Sequence, residues 1–174
     1  MGEGAGRPQQ RQWRNTMTQT KSLQTIWWEW IGTSERLMRS LHEQTAAIML
    51  RDVDRVQELQ PEIERMIQSL RAIDERASNE AKRLAETIGA EPTFRGLTEA
   101  LTDAKDKEQL IALANRVRAA AQTIQGLVRK NQALIENELA YVAGTLHLLA
   151  QSAQKEQGPY KEGSHAAVLL DEVA

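Results

Sequence analysis

The chain has no cysteine, only four prolines, ten glycines and an aromatic content of 4% across its 174 residues. Without cysteine there is no disulfide, no thiolate-bound zinc and no thiol nucleophile, and the composition fits a reducing compartment. The scarcity of proline and glycine, several of them near the two ends, leaves long stretches free of helix breakers. No apolar run approaches the roughly 20 residues that a bilayer-spanning helix needs, so membrane insertion is not expected. Neither sign of charge dominates: 24 Asp and Glu against 22 Lys and Arg give a net charge of −2. The two signs are interspersed and no basic stripe stands out, which argues against nucleic acid as a partner. Arg7, Arg11 and Arg14 near the start are followed by no apolar core, unlike a secretory signal. The opening Met-Gly lacks Ser or Thr at position six, against myristoylation.

The usual signs of catalysis are missing as well. There is no Gly-rich phosphate loop, no Gly-x-Ser-x-Gly elbow and no paired-carboxylate signature, so neither enzymatic activity nor a cofactor is expected. Three histidines occur: His42, His147 and His165. Glu162-x-x-His165 matches one step of a di-iron bundle, but such a site needs two steps and further helical glutamates, so no metal is expected. His147 reads as an exposed residue or a partner contact.

What the chain does have is helical periodicity. A first pattern, residues 20–50, follows Leu23, Trp27, Trp30, Ser34, Leu37, Leu41, Gln44 and Ile48, the alternating four-and-three step of a bundle seam. Asp52 offers an N-cap for a second pattern through Val53, Val56, Leu59, Ile63, Ile67, Leu70, Ile73, Ala77, Ala81, Leu84 and Ile88, closed by Gly89. Pro61 is expected to break it into a short turn of helix and a long helix that starts near the proline. Residues 89–106 hold a short helix over Phe94, Leu97 and Leu101 with Thr93 as its cap. Asp106 and Gln109 resemble a capping box and open the last helix at about Lys107. No 20–50-residue period repeats and no strand pattern is visible. The expected fold is all-α: an elongated antiparallel bundle of three long helices, a short connecting helix and a flexible C-terminal tail. Its parts are a disordered extension over residues 1–18 with Met17 as the natural start, a bundle over 19–153, and a mostly irregular tail over 154–174 in which residues 166–170 add a brief apolar contact.

The last pattern, residues 107–153, carries the functional argument. Its seam runs Leu110, Leu113, Val117, Ala120, Ile124, Leu127, Asn131, Leu134, and then widens through Ile135, Leu139, Tyr141, Val142, Leu146, Leu148 and Leu149. A helix needs an apolar stripe about 100° wide to pack on its own domain. At 1.5 Å per residue the three helices would be about 45 Å, 40–54 Å and 70 Å long, so the final residues of the third would overhang the bundle. An apolar overhang calls for a partner helix, a second copy or the chain's own tail. Asn131 sits on the seam, where a polar residue fixes register or partner choice, or marks where the internal seam ends and the binding face begins. The second reading is adopted, with Asn131 at the head of the partner-binding set. In the Trp27, Trp28 and Trp30 cluster, Trp27 and Trp30 lie on the seam and Trp28 points about 100° away, partly exposed, which suits a bundle anchor with an interface role left open.

The segment Asn131-Gln-Ala-Leu-Ile-Glu-Asn-Glu-Leu-Ala-Tyr-Val-Ala-Gly-Thr-Leu-His-Leu-Leu149, followed by Tyr160-Lys-Glu-Gly163, resembles the end of FlgN-type flagellar export chaperones. Arg51-Asp52-Val53-Asp54-Arg55-Val56 is similar to that family's first helix–helix junction, and the resemblance spans residues 23–163. It implies a cytoplasmic bacterial chaperone of the flagellar type III secretion system that binds hook-associated (hook–filament junction) subunits through their terminal helices and delivers them to the export gate. The family's client site lies in the C-terminal helix, which carries over to Leu134, Ile135, Leu139, Val142, Leu146 and Leu149, with Tyr160 a contact for client or gate. The Trp-rich first helix and the tail beyond Gly163 have no counterpart in the resemblance. The competing reading is a homodimeric coiled-coil structural or signalling protein that uses the same face for self-association, and monomer or weak homodimer both remain open.

Overall fold

The computed structural model describes residues 7–156, with side chains over 20–154. Among the described residues there are four helices and no strand: α1 (Arg7–Met49), α2 (Val53–Ile88), α3 (Phe94–Ala100) and α4 (Ala104–Glu156). The all-α expectation holds. The chain divides into two compact units, Met1–Asn131 and Gln132–Ala174.

In the first unit, every seam residue expected on α1 is buried except Trp27, which is half-buried. Burial also reaches Ile26, Ile31, Thr33, Ser40, Thr45 and Ala47, which lie off that seam. At about 100° per residue the buried arc of α1 covers roughly 200°, twice the width one neighbour needs. The cause is position: α1 packs against α2 along one side and receives α4 along the other. Leu110 and Leu113 of α4 join Leu23, Leu37 and Leu41 of α1 and Leu59, Leu70 and Leu84 of α2 in a single apolar cluster. Trp30 is buried there, its Nε1 without a well-formed hydrogen bond. Burial holds the Asp74 carboxyl on α2 above the usual range, outweighing the opposite pull of the Trp30 indole.

The turns follow local chemistry. Arg51 takes a left-handed φ of 57° after α1. Its N–H donates to Ile48 O at 3.0 Å and that of Asp52 to Ala47 O at 2.9 Å, which satisfies two end carbonyls. The Asp52 carboxylate accepts from Arg55 N at 3.1 Å and caps α2 as expected. Gly89 closes α2 at φ 67°, its cap donating to Ala85 O and Glu86 O. Thr93 caps α3 by accepting from Gly96 N at 3.0 Å. Gly96 has no room for a Cβ, which would stand 2.7 Å from the Glu91 carbonyl oxygen.

Three details differ from expectation. First, Pro61 does not break the helix; α2 is continuous through it. The ring is exposed, while Leu59 and Ile63 on either side are buried, and their burial offsets the lost hydrogen bond to Gln57 O. Second, Asp103, not Asp106, caps α4, accepting from Lys105 N at 2.9 Å. The two acids are three apart, so both fit a cap pattern, and the earlier start brings one more turn of α4 onto the bundle. Asp106 becomes a first-turn residue whose carboxyl is pushed up by burial and by Asp103. Third, α1 starts at Arg7, ahead of the expected position near residue 20. The tail, including Tyr160, Glu162, His165 and residues 166–170, lies outside the described residues, as do residues 1–6.

Exposed ion pairs tie α1 to α2. Arg76 clasps Glu29 through two bonds, Nη1–Oε1 at 3.0 Å and Nη2–Oε2 at 2.9 Å. Arg55 bridges Glu43 on α1 and Glu58 on α2.

Candidate functional site

The sequence points to α4 from Asn131 onward, and the structure sorts those residues into distinct environments. Asn131 is 3% exposed and its side chain is fully engaged inside the first unit. Its two amide hydrogens go to Leu41 O and Gln44 Oε1, each at 2.9 Å. Its Oδ1 accepts from the Thr45 hydroxyl at 2.5 Å, a hydrogen that Thr45 also directs toward Leu41 O at 2.9 Å. Asn131 is therefore separate from the exposed set, and it is the last buried residue of the described chain.

In the second unit, Leu134 and Ile135 are half-buried, and Leu139, Val142, Leu146 and Leu149 are 50–64% exposed. At about 100° per residue, Ile135, Leu139, Val142, Leu146 and Leu149 fall within roughly 80° of arc and form one ridge. Leu134, Tyr141 and Leu148 recur every seventh residue and form a second ridge, turned about 120° from the first. Tyr141 and Leu148 are exposed. The widening of the face in the sequence is thus a division into two ridges, marked by the seven-residue spacing of Leu134, Tyr141 and Leu148.

Residues 139–154 contain no Asp, Glu, Lys or Arg. Four of the polar side chains there bond within their own helix. Thr145 Oγ1 donates to Tyr141 O at 3.0 Å, Ser152 Oγ donates to Leu149 O at 2.8 Å, and Gln151 Nε2 pairs with His147 Nε2 at 2.9 Å. Covering such a surface strands few polar groups, so the desolvation cost of docking a partner is low. Single exposed leucines are ordinary; a contiguous uncharged helical surface marks an interaction site.

The tryptophans take three different roles. Trp30 is core; Trp27 packs on Phe94 of α3 with ring centroids 6.1 Å apart; Trp28, 51% exposed, lies beneath the Arg116 guanidinium at 4.7 Å. Trp27 thus links α1 to α3 and Trp28 links α1 to α4. Among the described residues no group of three or more His, Cys, Asp or Glu could hold a metal ion, and no helix is long and apolar enough to cross a membrane.

Residues 17–165 match the FlgN protein family, a span that takes in α1 from Met17 onward, α2, α3 and all of α4. The chain belongs to the FlgN family. FlgN proteins are flagellar export chaperones, a class that binds flagellar subunits and is in general non-enzymatic. No curated protein and no solved structure matches the chain.

Proposed function

We propose that this chain is a cytoplasmic chaperone of the flagellar type III secretion system that binds hook-associated subunits and keeps them unassembled for export. The observation that carries the reading is the exposed apolar surface of α4 in the second unit, free of charged residues over 139–154. A client's amphipathic terminal helix lies along the ridge formed by Ile135, Leu139, Val142, Leu146 and Leu149, with Leu134 contributing from the neighbouring ridge. Tyr160, beyond the described residues, is assigned to the client or the export gate.

The magnitudes are adequate. Burying a Leu, Ile or Val side chain contributes about 1.5–3 kcal/mol. These side chains are already partly covered by their own helix, so the five anchors supply roughly 4–9 kcal/mol, and a client's apolar face adds a similar amount, against association and ordering costs of about 4–15 kcal/mol. The sum suits binding that is specific yet reversible when the client is handed over.

The test is the double substitution Leu139→Asp with Leu146→Asp. Both side chains are exposed, so far-UV circular dichroism should stay helical while co-purification with a hook-associated subunit is lost. Unchanged co-purification would remove the site assignment. A second reading has one observation in its favour: the first ridge is evenly disposed about Val142, with Ile135 and Leu149 seven residues to either side. Such a ridge can pair antiparallel with a second copy of itself. Light scattering over a concentration series separates the two, since a tight dimer that occupies this ridge leaves no free client site.

A further inference from the structure

The seams of α1 and α4 repeat every seven residues, so apolar contact alone distinguishes poorly between one level of α4 on α1 and another displaced by a heptad. The polar residues break that degeneracy. Gln44 and Thr45 on α1 and Asn131 on α4 are all buried, and they meet at one level. Asn131 Nδ2 donates to Gln44 Oε1 at 2.9 Å, and Gln44 Nε2 donates to Gln60 Oε1 on α2 at 3.0 Å. Gln60 Nε2 then donates to Glu64 Oε1 at 2.8 Å. With the Thr45 hydroxyl donating to Asn131 Oδ1, the bonds run in one direction from Thr45 to a terminal carboxylate and join all three long helices.

We infer that Asn131 is the register key of the bundle: its match to Gln44 and Thr45 selects the one axial level at which α4 packs on α1. A slip of one heptad, about 10 Å, places Asn131 against Leu37 in one direction and Ile124 against Gln44 and Thr45 in the other. Either slip buries amide groups without partners, which the seam's leucines cannot compensate. The key also fixes which residue of α4 is the last to be buried. The inference concerns the first unit alone and stands whether or not the second binds a client.

The absence of cysteine makes the test direct. Spin labels at His42→Cys and Ala112→Cys, both exposed and well separated along the axis, report the level of α4 by electron–electron distance measurement on the full chain. The unaltered network should give one narrow distance. The apolar set Gln44→Leu, Thr45→Val and Asn131→Leu should remain helical and add a population displaced by about 10 Å. Moving the key, with Ile124→Asn and Asn131→Leu while Gln44 and Thr45 stay, should shift the main distance by the same amount. An unmoved single distance in both variants overturns the inference. Loss of helicity in the apolar set overturns it too, because the network would then be needed to fold at all rather than to choose a level.

Discussion

Glu29 shows what a single exposed residue contributes. Arg76 holds both of its carboxylate oxygens, and that hydrogen bonding, more than the charge itself, lowers the Glu29 pKa below the usual glutamate value. A carboxyl with a lowered folded-state pKa stabilises the fold above its unfolded pKa, and the contribution is lost as pH falls through the folded value. The pair is open to solvent, so the effect on stability is small and the titration is the sensitive readout. Carboxyl-detected NMR titration should place the Glu29 midpoint below that of ordinary glutamates, and Arg76→Gln should return it to their range. A midpoint that ignores Arg76→Gln would mean the clasp is not formed in solution. Raised groups behave oppositely: Asp74 and Asp106 favour their protonated forms in the fold, so their ionisation as pH rises opposes stability.

At the scale of elements, Pro61 is the informative misfit. A proline inside a helix forfeits one backbone hydrogen bond and crowds the preceding turn. Because its ring is exposed, Pro61→Ala should restore that bond without opening a cavity and raise stability by about 2 kcal/mol, measured by urea denaturation. No gain would show that the helix has already relaxed around the ring. The sequence pattern made Pro61 look like a boundary because local propensity was read without the buried Leu59 and Ile63 that carry α2 through it. Asp103 escaped notice for a similar reason, since Asp106 with Gln109 makes an equally good cap and only packing of the extra turn decides between them. The α1 seam, the caps at Asp52, Thr93 and Gly89, and the anchoring tryptophans were legible because periodicity and cap chemistry are local. The choice between the two readings of Asn131 was not. A polar residue on one seam acquires meaning from its partners, here Gln44 and Thr45 some 86 to 87 positions away.

For the whole molecule, the central claim is a division of labour along one helix. Up to Asn131, α4 contributes the core residues Leu110 and Leu113 and the buried amide network; from Gln132 on, it has no buried residue among those described. A helix with so much exposed apolar surface is costly to leave bare, and the client-binding role proposed for it supplies the reason to keep it so. Hydrogen exchange read by mass spectrometry, on the chain alone and with a hook-associated subunit, measures this most directly. The account predicts client-dependent protection confined to residues 134–149, with α1 and α2 unchanged. Protection that falls on α1 and α2 instead, or residues 134–149 as exchangeable with the client as without it, would contradict it.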